Sequence, residues 1–157
     1  MLATEMEVRP ARPRVLVVDD RAPDRLHVVA ALAGRFDVFP LPTGGDPLRA
    51  ARARRPELVL LALGRGRVDD TLRICRTLRT DVRPIAHVAV YARGRPPRTA
   101  EQVCETWCAD GYLAGPFDGP ALLAFVDAVL RGERPVHLPE AAPSPLSRLV
   151  NRLRGAP

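Results

Sequence analysis

The chain has 157 residues, a formal charge of +6 and 27% charged residues, enough for one domain with a full hydrophobic core plus tails. It contains no run approaching eighteen apolar residues, so no transmembrane helix is expected, and residues 1–13 lack the apolar stretch of a secretory signal. The three cysteines, Cys75, Cys104 and Cys108, are too few for a disulfide framework, and a reducing cytoplasm is the expected compartment.

The elements follow in chain order. Val15–Asp19 is a β-branched apolar run, the pattern of a strand covered on both faces. Asp24 to Ala33 is helical, with Leu26, Val29, Ala30 and Ala33 expected on the inward stripe and Gly34 as the stop. Phe36–Leu41 is a short strand that Pro40 and Pro42 confine to an edge. Asp46 caps a second helix with Pro47 at its first position, running to about Arg54. Leu58–Ala62 is the third strand, Asp70–Leu78 the third helix and Ile85–Tyr91 the fourth strand. A fourth helix is expected from Pro97 to about Cys108, and a fifth strand over Tyr112–Ala114. Asp118 caps a fifth helix, Ala121–Arg131, with Leu122, Phe125, Val126 and Val129 inward and Gly132 ending it.

Five strands alternating with five helices predict an α/β fold: a doubly wound, five-stranded parallel sheet with right-handed crossovers. The proline-bearing second strand at an edge fits the order 2-1-3-4-5. Chemistry in such sheets sits beyond the carboxyl ends of the strands, so Asp19, Asp20, Ala62, Tyr91 and Gly115 are expected to meet there.

The most informative position is Ala62. A strand ending in two acids, a helix, and a strand whose end calls for a third acid describe a magnesium and phosphoryl-transfer pocket, and here the third place holds a methyl group. Residues 14 to about 131 resemble the receiver domain of bacterial response regulators, a flavodoxin-like fold. The resemblance rests on Val15–Asp20, on Pro56–Leu61 with Val68-Asp69 after it, on Ala89–Arg93, and on Gly111–Phe117. It implies that Asp19 and Asp20 match the acidic pair that helps hold magnesium, and that Ala62 stands on the phosphoaccepting aspartate. Tyr91 then falls on the switch threonine or serine, Gly115 on the phosphate-pairing lysine and Tyr112 on the switch aromatic.

The departures have physical meaning. A methyl group neither accepts a phosphoryl group nor ligates a hard cation. All 24 basic residues are arginine, so no lysine exists elsewhere to neutralise a transferred phosphoryl oxygen. No catalytic residue, cofactor or metal is therefore expected; Asp19 and Asp20 would make at best a weak metal site. They can instead cap the next helix or pair with arginine, with Arg21, Arg65, Arg67 and Arg93 as candidates. Asp69 and Asp70 lie where the family also carries an acid and are poor substitutes for the acceptor.

Other groups carry two readings each. Cys104 and Cys108 share a helix face, either as small core residues or, with His87 or His137, as zinc ligands; the spacing favours core. Trp107 is a core residue or an interface anchor. Residues 1–13 form a flexible N-terminal segment, 14–132 the receiver-like domain and 133–143 a proline-rich linker. In 144–157, Leu146, Leu149, Val150 and Leu153 fall at i, i+3, i+4 and i+7 of a tail helix. Ten residues do not hold a helix alone in water, so the stripe must dock on its own domain, on a partner protein or, weakly, on a membrane surface.

The resemblance implies a stand-alone, non-phosphorylatable receiver, not an enzyme, acting as a protein–protein adaptor or scaffold in bacterial signalling. Its expected contacts are the face of the fourth helix, fifth strand and fifth helix, and the tail. The alternative is a receiver gated by a small molecule in the altered pocket. A nucleic-acid-binding role is the third reading, ranked lower because the arginines are interleaved with acids and no helix-turn-helix or aromatic platform appears. No nucleic-acid partner is expected.

Overall fold

The computed structural model describes residues 11–42, 44–63, 68–81, 87–93 and 109–137. They form a single parallel sheet of six strands: β1 (Arg14–Val18), β2 (Asp37–Leu41), β3 (Leu58–Ala62), β4 (His87–Ala92), β5 (Gly111–Ala114) and β6 (Val136–His137). The strand order is β2-β1-β3-β4-β5-β6, with every neighbouring pair parallel. The four described helices are α1 (Ala22–Leu32), α2 (Pro47–Arg54), α3 (Val68–Asp81) and α4 (Gly119–Leu130). The expected helix over 97–108, with Trp107, Cys104 and Cys108, lies outside the described residues, as does the tail.

Side-chain alternation along the strands divides the core in two. Leu16, Val59, Leu61, Val88, Val90 and Tyr112 pack on one face with Ala51 of α2 and Cys75 and Leu78 of α3. Val15, Val17, Leu58, Leu60, Ala89 and Tyr91 pack on the other with Val28 and Leu32 of α1 and Leu122, Phe125 and Val129 of α4. The buried strand residues are apolar at consecutive positions because both faces are covered.

Caps set the helix starts. The Asp46 carboxylate accepts the N–H groups of Leu48 and Arg49, and Asp118 accepts that of Ala121. Helix α4 ends as expected at Gly132, φ +82°, where the Gly132 N–H donates to Val129 O and the Glu133 N–H to Ala128 O, a Schellman arrangement.

Two expectations are corrected. Five strands were expected and six are present. β6 falls in the segment read as linker and pairs with β5, Tyr112 opposite Val136. Gly111 permits this approach, since a Cβ there would stand 3.1 Å from the Pro135 carbonyl oxygen and 3.0 Å from a Val129 methyl. The inward face of α1 is also different: Val28 and Leu32 are buried, with Ala31 against the same core. Leu26 is 67% exposed, and Ala30 and Ala33 face solvent. Both sides of α1 carry apolar residues, so periodicity alone does not choose between them. The helix begins two residues earlier than expected, at Ala22.

Candidate functional site: a filled pocket at the strand ends

Asp19 follows β1 directly, Ala62 ends β3, Tyr91 lies one residue before the end of β4, and Gly115 follows β5. Ala62 and Tyr91 are cross-strand partners in the sheet register, and the Leu63 N–H donates to the Tyr91 carbonyl at 2.8 Å. Both side chains belong to the α1–α4 face, with Ala62 half-buried against the cluster that holds Tyr91. A methyl group therefore stands beside the largest side chain of the site.

Tyr91 is 1% exposed and Asp19 is 6% exposed. The Tyr91 hydroxyl donates to Asp19 Oδ2 at 2.5 Å, and the Arg21 N–H donates to Asp19 Oδ1 at 2.9 Å. Both carboxylate oxygens thus hold a partner, as a buried charged group requires. Arg25 Nη1 donates to the Asp19 carbonyl at 2.6 Å, which ties the turn to α1. Burial chiefly, then the hydrogen bond to Asp19 and the charges of Asp19 and Asp24, raise the Tyr91 hydroxyl pKa far above the ordinary tyrosine value, against a smaller opposing pull from Arg93.

A second tier closes over the ring. Phe117 meets Tyr91 edge-to-face at 6.0 Å between centroids. The Arg93 guanidinium lies 5.6 Å from the Phe117 ring centroid, and its Nε is 3.3 Å from Asp24 Oδ1. Arg21 Nε reaches the other Asp24 oxygen at 3.5 Å. Of the arginines expected to pair with the acidic residues, Arg21 and Arg93 thus turn to Asp24; Arg65 and Arg67 lie outside the described residues.

Asp20 is exposed. Gly115 is buried at φ +85°, and its N–H donates to the Ala92 carbonyl at 3.0 Å. A lysine there would need a left-handed backbone that side chains with a Cβ rarely adopt. Tyr112 is fully buried on the opposite sheet face from Tyr91, and burial pushes its hydroxyl up to about 12. The two tyrosines occupy neighbouring strands but separate cores.

This donor set does not fit magnesium. One Asp19 oxygen is held by a tyrosine hydroxyl and the other by a backbone N–H, and Ala62 offers no oxygen where a further ligand would be needed. Among the described residues, no three His, Cys, Asp or Glu side chains group closely enough to hold a metal ion, and no helix is long and apolar enough to cross a membrane.

Sequence reasoning named all five strand-end positions and missed the bond that joins two of them. The available signal was the pair of opposite size changes, small at 62 and large at 91, on strands expected to be neighbours.

No protein-family model matches the chain. It is 35% identical over 125 residues to the DNA-binding response regulator MtrA of Mycolicibacterium paratuberculosis, an alignment covering 76% of this chain and 52% of that protein. The MtrA of Mycobacterium tuberculosis matches at the same identity over 51% of its length, so the chain spans about half the length of the curated relatives it matches. Among solved structures, the signal receiver domain of NarL from Mycobacterium tuberculosis superposes with a TM-score of 0.66 at 23% identity, covering 79% of this chain and all of that one. The BeF3-activated DrrB receiver domain gives a TM-score of 0.61 at 26% identity, over 76% of this chain and 98% of that one.

Proposed function

The chain carries the receiver domain of response regulators, and from that premise we propose that it signals by protein–protein contact without accepting a phosphoryl group. One observation carries this reading: the Tyr91 hydroxyl rests on Asp19 at 2.5 Å, inside the pocket where Ala62 stands at the acceptor position. Phosphoryl transfer to a receiver needs a nucleophilic carboxylate, a metal held by neighbouring acids and a cation for the transferred charge. Here the carboxylate is a methyl group, the more buried acid is bonded to tyrosine, and the cation position is a glycine in a left-handed conformation.

The filled pocket also bears on the small-molecule alternative. Tyr91 is 1% exposed, bonded at its hydroxyl to Asp19 and packed at its ring on Phe117, which favours contact over ligand gating. With Tyr91 held at its hydroxyl and at its ring, the surface that the domain presents does not depend on a phosphoryl group.

Capture of partners from a bacterial lysate on the immobilised full chain, with and without acetyl phosphate and magnesium, tests this. The same protein retained in equal yield under both conditions supports constitutive contact. Retention only with the phosphodonor, or no specific retention at all, contradicts it.

A further inference from the structure

Between α4 and the β5–β6 edge lies an open groove of about 360 Å³. Its walls include Leu113, Pro116 and Phe117 after β5, Ala121 and Ala124 of α4, and His137 of β6. Ala121 and Ala124 are exposed, one helical turn apart. Small residues there allow another helix to approach closely. The walls are mainly apolar, and the carboxylate among them, Asp118, caps the Ala121 N–H at 2.8 Å.

The chain itself is delivered to this groove. Because β6 runs parallel to β5, with His137 opposite Leu113, the backbone at His137 heads toward the same end of the sheet as Ala114 and Phe117. The His137 ring packs against Phe125 with centroids 6.3 Å apart, so this wall is anchored to the α4 core. Twenty residues follow, including the apolar stripe Leu146, Leu149, Val150 and Leu153.

We propose that this groove seats the chain's own C-terminal segment, residues 144–154, through Leu149 and Leu153. Residues 138–144 reach up to roughly 25 Å when extended, ample for a groove that begins where they begin. A tether this short holds the segment at an effective concentration on the order of millimolar, well above that of a second copy in dilute solution. The short helix, unstable alone, gains order by burying its stripe. The domain then carries a built-in occupant of its α4 surface, which an external partner must displace. The proposal holds whether or not the pocket accepts a phosphoryl group, so its failure and that of the contact reading are separable.

Amide NMR spectra of the full chain test it, at two protein concentrations tenfold apart. Leu149→Asp with Leu153→Asp is expected to shift the amides of Phe117, Ala121 and Ala124 and to leave Val15 and Leu60 in place. Ala124→Arg, which blocks the groove from the other side, is expected to move the amides of Leu149 and Leu153 to their positions in a synthetic peptide of residues 140–157. Groove amides that do not respond to the tail substitutions overturn the proposal, as do responses confined to another face such as exposed Leu26 on α1. Shifts that vanish on dilution, with a doubled mass in sedimentation at the higher concentration, assign the groove to a second copy's tail and overturn it as well.

Discussion

The Tyr91 hydroxyl and Asp19 Oδ2 lie 2.5 Å apart, joining two residues 72 positions apart in sequence. Asp19 is held on its other oxygen by the Arg21 N–H. This one bond links the turn that starts α1 to the fourth strand, and it uses an acid that the receiver resemblance assigns to metal binding. The largest side chain of the site thus engages one of its two acids.

Substitutions at Tyr91 separate the bond from the packing. Tyr91→Phe keeps the ring and leaves a buried carboxylate oxygen without its donor, a loss of about 1–3 kcal/mol. Tyr91→Ala also empties the space beneath Phe117 and should lose about 3–5 kcal/mol. Urea unfolding, with unchanged slope, is the measurement. Equal stability of the two variants would mean that the ring is not packed as described.

An acid placed at position 62 should not by itself make a phosphoryl acceptor. In Ala62→Asp, Tyr91 still holds Asp19 and no lysine is present, so intact mass after acetyl phosphate and magnesium treatment should stay unchanged. Adding Gly115→Lys meets the φ of +85° and should lower stability by about 1–2 kcal/mol. A phosphorylated single Ala62→Asp variant would show that Tyr91 yields readily.

Alkaline pH should destabilise the protein through its two tyrosines. Burial raises Tyr112 to about 12, and burial with the Asp19 bond raises Tyr91 further. Each group's stabilisation is complete below the unfolded value of about 10 and falls as pH rises toward the folded value, because the unfolded chain then binds fewer protons. Tyrosinate absorbance should therefore stay low until the protein unfolds. Tyr112→Phe should remove the pH dependence of stability attributable to the window from about 10 to 12. A tyrosine that titrates near 10 in the folded state contradicts the burial.

Arg93 offers a contrast. Its ion pair to Asp24 and its place over Phe117 are partly exposed, so Arg93→Ala should lose no more than about 1 kcal/mol. The same variant should leave the Tyr91–Asp19 bond intact; with the opposing pull of Arg93 gone, the Tyr91 hydroxyl should titrate no lower than before.

The sequence made the sheet and its covered strands legible because Val15–Val18 and Leu58–Ala62 are continuous apolar runs bounded by polar turns. Asp46 and Asp118 marked two helix starts because their carboxylates had free N–H groups two or three residues on. Ala62 was legible as a strand end because the apolar run Leu58–Leu61 stops there. The Asp19–Tyr91 bond was not, since no local pattern reports which distant side chain will reach an acid. Helix α1 misled because Leu26, Ala30 and Ala33 mimic a buried stripe as well as Val28, Ala31 and Leu32 do. Strand β6 was hidden because two residues carry no period; what admits it is the missing Cβ of Gly111, on the neighbouring strand.

The most direct test of the central claim is the intact mass of the unmodified full chain after incubation with acetyl phosphate and magnesium. An unchanged mass is the outcome expected from Ala62, from Asp19 bonded to Tyr91 and from the glycine at 115. A stoichiometric gain of one phosphoryl group, labile to hydroxylamine, would contradict it and would mean that another carboxylate at these strand ends accepts phosphate.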